Sequence, residues 1–232
     1  MVVCPFAHGE SIENTRDIKV TSSFAGKELY HKFITGKNHA LIIGIDEYKN
    51  HDNLKTAVND AKTVSQLLKE KYFFSRDRII LLTNENATKT KIVQALRDMV
   101  ELKVSKDDNV FIYYAGHGWY DKTFQTGYWV THEATKDPTS FLGNSAVYQS
   151  IDALNRKHAR HILLVSDSCF SGSFTREHRT IETQIDDRYF QEKYKNPLRN
   201  ILTSGGLEPV IDAGKDGHSV FALLFYQNTS GK

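Results

Sequence analysis

Short continuous apolar runs alternate along this chain with longer segments in which apolar residues recur every three or four positions. Continuous runs are typical of strands buried on both faces of a sheet, and the longer period is typical of helices that bury one face. The runs predict strands at 40–45, 79–82, 110–114, 162–165 and 201–204. The periodic segments predict helices at 54–73, from a Thr88 cap to about 99, at 145–157 and at 219–227.

Strands that alternate with helices form βαβ units, and their right-handed crossovers place helices on both faces of a mostly parallel sheet. The first 37 residues are polar and weakly periodic, and we interpret them as an N-terminal arm. A charged span of mixed sign, about 173–199, separates the fourth predicted strand from the fifth. The sequence therefore predicts an α/β domain over 38–232, divided into a large part (38–172), a linker (173–199) and a small part (200–232).

Composition excludes several classes of function. The chain has 232 residues, of which 40% are hydrophobic and 25% charged, as expected of one globular domain or two small ones. Its net charge of only +2 argues against nucleic acid or a membrane surface as the main partner. With two cysteines, no secretory signal pattern and no apolar run of about 20 residues, we expect a cytoplasmic protein in a reducing compartment.

Two predicted strands end in residues that can do chemistry. The third strand leads into His117 between two glycines, and the fourth leads into Cys169. If these strands are neighbours, both ends lie on one rim of the sheet, about 5 Å apart. A thiol and an imidazole at that separation can act as nucleophile and general base, and the N–H groups of Gly118 and Cys169 can hold an oxyanion. Taken alone, a cysteine after an apolar strand is more typical of a small buried apolar residue, and the catalytic interpretation depends on the pair.

The segments Tyr-Tyr-Ala-Gly-His-Gly at 113–118 and Asp-Ser-Cys-Phe-Ser-Gly at 167–172 resemble the caspase-type cysteine peptidases, in particular the bacterial caspase-like proteins related to metacaspases. The 52 positions between His117 and Cys169 agree with the caspase spacing. The resemblance implies a three-layer α/β/α caspase-like fold with about six strands in a mostly parallel sheet. It also implies peptide hydrolysis through an acyl-thioester, with His117 and Cys169 as the catalytic dyad.

The predicted specificity is for a basic residue before the cleaved bond. Asp167 stands two positions before the cysteine, where the caspase signature has Gln, and a carboxylate in that pocket attracts a cation and repels an acidic side chain. The metacaspase resemblance adds Asp60 as the second carboxylate of this primary pocket, S1. The alternative for Asp60 is a solvated carboxylate in a first helical turn. The expected partner is thus a polypeptide substrate that presents Arg or Lys.

The linker raises the question of self-cleavage, because caspases are cut between their large and small portions. An exposed loop with ordinary basic residues is the alternative. The candidate cleavage positions are Arg176, Arg179, Arg188, Lys193 and Lys195. Many metacaspases need calcium, but no cluster of oxygen ligands is visible, so the sequence predicts no metal or cofactor.

Two other functions compete with the peptidase. The first is a catalytically weak caspase-like module for interaction or regulation, and a C-terminal or partner regulatory domain is compatible with the sequence. The second is a doubly wound ligand-binding domain. No Walker loop or G-x-G-x-x-G follows any predicted strand, which argues against nucleotide binding.

Overall fold

The computed structural model describes residues 36–168, 198–204 and 217–230. Apart from their last two positions, the predicted arm (1–37) and linker (173–199) lie outside this part of the chain. The strands are β1 Asn38–Gly44, β2 Ile79–Thr83, β3 Asn109–Ala115, β4 Gly118–Asp121, β5 Thr126–Trp129, β6 Leu142–Gly143, β7 His161–Asp167 and β8 Leu198–Thr203. The helices are α1 Ala57–Lys71, α2 Lys89–Asp98, α3 Asn144–Arg156 and α4 Val220–Ser230.

The central sheet has the order β2-β1-β3-β7-β8, and every neighbouring pair is parallel. The predicted α/β fold with a mostly parallel sheet is therefore confirmed. Five strands form this sheet within the described residues, against the six or so that the resemblance implied. The order also confirms that the third and fourth predicted strands, β3 and β7, are neighbours.

The apolar runs are buried on both faces, as their composition predicts. In β1, Leu41 and Ile43 pack into one core with α2 and α3, whereas Ala40 and Ile42 pack into a second core with α1 and α4. Helices thus cover both faces of the sheet and give three layers. None of the helices in the described ranges combines the length and the apolar character required to cross a membrane.

Helix α1 begins at Ala57, three residues later than its apolar periodicity predicts. The Asp46 side chain accepts a hydrogen bond from Val58 N at the start of the helix, and its carbonyl oxygen accepts one from Leu54 N. Gly44 permits α1 to approach β1 closely, because a Cβ there would lie 2.5 Å from the Ala57 carbonyl oxygen. The predicted cap of α2 is present: the Thr88 side chain accepts a hydrogen bond from Lys91 N.

A small antiparallel sheet, β4-β5-β6, extends from the end of β3 and was not predicted. Its strands have two to four residues, too few for a clear alternation of polar and apolar positions. Tertiary packing holds it in place, since the buried Trp129 ring stacks on Tyr114 of β3 with centroids 4.3 Å apart.

Candidate active site

The two predicted catalytic loops leave the sheet from the same rim. Ala115 and Asp167, the last residues of β3 and β7, are Cα partners in the sheet, and Gly116 N donates to the Asp167 carbonyl oxygen at 3.2 Å. His117 follows on one side and Ser168 on the other. Cys169 lies outside the described residues, so its distance from His117 stays a prediction.

Contacts with the loop between β1 and α1 hold His117 on three sides. Its backbone N donates to Tyr48 Oη at 2.8 Å, and the Tyr48 ring lies against the imidazole with centroids 4.8 Å apart. Imidazole Nε2 lies 2.8 Å from the Asp52 carbonyl oxygen. Because a carbonyl oxygen only accepts hydrogen bonds, Nε2 carries the proton in this arrangement and Nδ1 is the basic nitrogen.

Gly116 is required by the close packing behind His117. A Cβ at this position would lie 2.7 Å from Tyr48 Oη and 2.8 Å from Tyr114 Oη. Both hydroxyls support the histidine, because Tyr114 Oη donates to the His117 carbonyl oxygen at 2.6 Å. A larger residue at position 116 would therefore displace the groups that position the imidazole.

Gly118, the predicted oxyanion donor, is the first residue of β4 and pairs with Trp129 of β5. The preceding carbonyl oxygen, that of His117, accepts a hydrogen bond from Val130 N at 2.9 Å. In an antiparallel ladder, hydrogen-bonded and non-hydrogen-bonded pairs alternate, so the Gly118 N–H points away from β5.

The two predicted pocket carboxylates lie close together and share one partner residue. Asp60 is 0% exposed in the first turn of α1, and Asp167 is 7% exposed at the end of β7. Ser219 N donates to Asp60 Oδ2 at 3.1 Å, and Ser219 Oγ donates to Asp167 Oδ2 at 2.5 Å. The alternative of a solvated carboxylate at Asp60 is therefore wrong.

Asp60 is surrounded by further donors. His218 Nδ1 lies 2.5 Å from Asp60 Oδ1, and Tyr226 Oη donates to the Asp60 carbonyl oxygen at 2.7 Å. Burial raises the pKa of the Asp60 carboxyl, and the hydrogen bonds from His218 and Ser219 offset part of that rise. Burial and the charge of Asp60 also raise the pKa of the Tyr226 hydroxyl, so Tyr226 stays protonated and donates.

The fully buried hydroxyl of Tyr113, on β3, belongs to the same surroundings. It has no hydrogen-bond partner among the residues that the structure describes, and burial together with the negative charge of Asp167 raises its pKa well above the usual value. The charge of Asp60 and the neighbouring Tyr226 add to this effect. Asp60 and Asp167 thus raise the pKa values of neighbouring tyrosine hydroxyls, because charges interact strongly in an interior from which water is excluded.

Comparison with known proteins decides the family. The model of the caspase domain matches residues 37–220. The chain belongs to the caspase domain family.

Named relatives of this caspase domain include fungal metacaspases. Metacaspase-1 of Ajellomyces capsulatus is 27% identical over 160 residues, which are 64% of this chain and 44% of that protein. Metacaspase-1 of Botryotinia fuckeliana is 34% identical over 94 residues, 38% of this chain and 22% of that protein. The chain spans less than half the length of these relatives. A solved protein of Geobacter sulfurreducens superposes with a TM-score of 0.46 at 22% identity, covering 57% of this chain and 50% of that one, too weakly to support an argument.

Several residues of this caspase domain site escaped the sequence analysis. No role was assigned to Tyr48 or Ser219 from the sequence, and the Asp52 carbonyl is a backbone group with no side-chain signature. Ser219 is the first residue of the predicted helix 219–227, and a serine at a helix start signals a cap. Its Oγ does accept from Ala222 N. Within the described ranges, no three His, Cys, Asp or Glu side chains are arranged to hold a metal ion.

Proposed function

We propose that this caspase domain is a cysteine endopeptidase that cleaves peptide bonds after Arg or Lys, with Cys169 as nucleophile and His117 as general base. The pairing of Ala115 with Asp167 carries the proposal, because it brings the two loops to neighbouring positions on one rim. Cys169 directly follows Ser168, and consecutive Cα atoms are about 3.8 Å apart. We therefore expect the thiol to lie within reach of the imidazole.

The first chemical step forms a thioester. His117 Nδ1 takes the proton of the Cys169 thiol, and the sulfur attacks the carbonyl carbon of the peptide bond. The carbonyl π electrons move onto oxygen, where the N–H groups of Gly118 and Cys169 stabilise the oxyanion. As the oxyanion collapses, the C–N bond breaks and the imidazolium gives its proton to the departing amine.

The second step hydrolyses the thioester and releases the carboxylic acid product. With the amine gone, His117 is neutral again and takes a proton from water as the water oxygen attacks the thioester carbonyl. Collapse of this second oxyanion breaks the C–S bond, and the proton on His117 returns to the sulfur. The hydrogen bond from Nε2 to the Asp52 carbonyl oxygen fixes the tautomer, so Nδ1 is the proton acceptor in both steps.

The acidic pair supports the choice of substrate. Asp60 and Asp167 are both buried, and a cation is attracted more strongly to carboxylates that are screened from water. An acidic side chain would be repelled, so cleavage after Asp, the typical caspase reaction, is disfavoured. Arg has the additional option of a bidentate pair with a carboxylate.

The test is hydrolysis of fluorogenic peptide amides that end in Arg, Lys, Asp or Leu, with and without calcium. We expect release from the Arg and Lys substrates only, and its loss in Cys169→Ala. Cys4→Ala is the matched control, since it removes the other cysteine. Activity that survives in Cys169→Ala would contradict the mechanism. Absence of hydrolysis in every arm, from folded protein, would favour the interaction or regulatory module instead.

Self-processing follows from the same preference. Arg176, Arg179, Arg188, Lys193 and Lys195 give such a peptidase five targets in the linker. Incubated wild-type protein should yield discrete fragments ending at one of these residues, as read by mass spectrometry, and Cys169→Ala should yield none. Fragments that also form in Cys169→Ala would indicate a contaminating protease.

A further inference from the structure

An imidazole already covers the carboxylate that a basic substrate would need to reach. His218 Nδ1 lies 2.5 Å from Asp60 Oδ1, and the Asp60 side chain is only 1% exposed, whereas that of His218 is 16% exposed. His218 is thus the more exposed member of the pair and occupies the hydrogen-bonding position at Asp60 Oδ1. A substrate cation that binds this oxygen must take the place of the imidazole.

The surroundings of His218 form a seat for its ring. The Tyr226 ring meets the imidazole edge-on, with centroids 5.1 Å apart and planes at 78°. The turn before it is fixed, because Asn59 Nδ2 donates to the Gly217 carbonyl oxygen at 2.9 Å and Gly217 has the positive φ of 77° that glycine tolerates. The seat thus has a carboxylate at one end and an aromatic ring along one side.

We propose that His218 occupies, in the unliganded protein, the seat of the substrate's basic side chain, and that this seat selects Arg over Lys; the proposal rests on the function proposed above. A guanidinium is planar and weakly hydrated, and it donates through a rigid fork of N–H groups. It can replace the imidazole donor at Asp60 Oδ1 and contact the Tyr226 ring at the same time. The ammonium group of Lys is a strongly hydrated point charge that gains less from the aromatic ring.

Displacement of His218 costs binding energy. The substrate cation must replace a hydrogen bond to a buried carboxylate, and such bonds to charged groups are among the stronger ones in proteins. The second carboxylate has its own support during the exchange, because Asp167 Oδ2 accepts a hydrogen bond from Ser219 Oγ. Removal of the imidazole should therefore increase the affinity for basic ligands without dismantling the pocket.

The experiment measures binding without turnover. Nα-acetyl-arginine methylamide and its lysine counterpart are titrated calorimetrically into Cys169→Ala protein that carries either native His218 or His218→Ala. We expect His218→Ala to bind both ligands about tenfold more tightly, the scale of one hydrogen bond to a charged group. The arginine ligand should bind more tightly than the lysine ligand in both proteins. His158→Asn is the matched control, because His158 is exposed and has a φ of 59° that Asn also adopts.

A second variant tests the aromatic side of the seat. Tyr226→Phe keeps the ring and removes the hydroxyl, so the preference for arginine should persist, whereas Tyr226→Leu should reduce it. Circular dichroism establishes that each variant is folded.

Each result that would contradict the proposal overturns a different part of it. Equal or weaker binding by His218→Ala would overturn the proposed displacement, and a preference for the lysine ligand would overturn the proposed selectivity. Both results leave the proposed peptidase intact if the wild type still cleaves after Arg. No binding of either ligand by any variant, and no cleavage after Arg, would overturn the proposed function together with this inference.

Discussion

The two halves of the site are built in opposite ways. His117 is half-buried at the rim, and the groups that hold it are a tyrosine hydroxyl, a tyrosine ring and a backbone carbonyl. Asp60 and Asp167 are buried, and hydrogen bonds from residues at or just before the start of α4 hold their carboxylates. One half is accessible and surrounded by neutral groups, and the other half is enclosed and charged.

This difference matches the two tasks proposed for these residues. A general base must reach its substrate and gain and lose a proton in each cycle, so neutral partners that fix its tautomer are sufficient. A carboxylate that selects a cation is most effective where water is excluded, but its burial costs stability. The raised pKa of Asp60 shows that cost, because the folded protein disfavours the ionised carboxyl. Four substitutions test the contrast.

The largest expected effect is on the accessible half. His117→Ala removes the proposed base and should lower kcat/KM on an Arg substrate by about 10²- to 10⁴-fold, the range typical of general acid–base groups. The half-buried ring makes few core contacts, so the melting temperature should barely change. Affinity for the arginine ligand should also persist. A loss of less than about tenfold would show that His117 is not the base.

Asp167→Asn tests the enclosed half with little change in shape. The Asn side-chain oxygen can still accept from Ser219 Oγ, so the packing is retained while the charge is lost. Hydrogen bonds to charged groups contribute about 1.5–3 kcal/mol, which predicts a 10- to 150-fold loss of kcat/KM on Arg and Lys substrates. An unchanged kcat/KM on both substrates would argue against a charge-based pocket.

A smaller effect should follow from Tyr48→Phe. The ring would still lie against His117, but the backbone N–H of His117 would lose its acceptor. One hydrogen bond contributes about 1 kcal/mol, so kcat should fall about fivefold while KM stays nearly constant. Steady-state kinetics separates the two constants. A change confined to KM would indicate that Tyr48 contacts substrate and does not position the base.

The smallest expected effect is on stability and has the opposite sign. Folding raises the pKa of the Asp60 carboxyl. The stability that this group contributes is therefore fully present below its unfolded pKa of about 3.8 and is lost as the pH rises through its folded pKa. Asp60→Asn cannot ionise and should melt at a higher temperature than the wild type at pH 7. At pH 4 the difference should shrink. A variant less stable at pH 7 would show that the ionised carboxylate stabilises the fold.

Much of the fold was predictable because local patterns dictate it. The apolar runs located the five strands of the central sheet, and Thr88 marked the start of α2. The short strands β4 to β6 were missed, because strands of two to four residues depend on tertiary packing such as the stacking of Trp129 on Tyr114. The late start of α1 was missed because Asp46 makes contacts with Leu54 and Val58 that periodicity does not reveal.

The site divides in the same way. Its reactive side chains stand out in the sequence, since His117 and Asp167 follow recognisable apolar runs and lie in short distinctive motifs. The groups that support these side chains do not stand out, because a backbone carbonyl has no side-chain signature in the sequence. Ser219 is the clearest example of a supporting residue whose role the sequence does not reveal. Its role requires two carboxylates that are 107 positions apart in the chain to lie on either side of one residue.

The order of residues by itself determined which segments form the central sheet and the helices that cover it, and which side chains can act as base and as charged selectors, since hydrophobic periodicity and functional-group chemistry are local properties. The tertiary structure alone decided that β3 and β7 end side by side, that Asp52 fixes the tautomer of His117, and that His218 covers Asp60. These features depend on contacts between segments that are far apart in the sequence. Such contacts form only when the chain folds and its two cores pack.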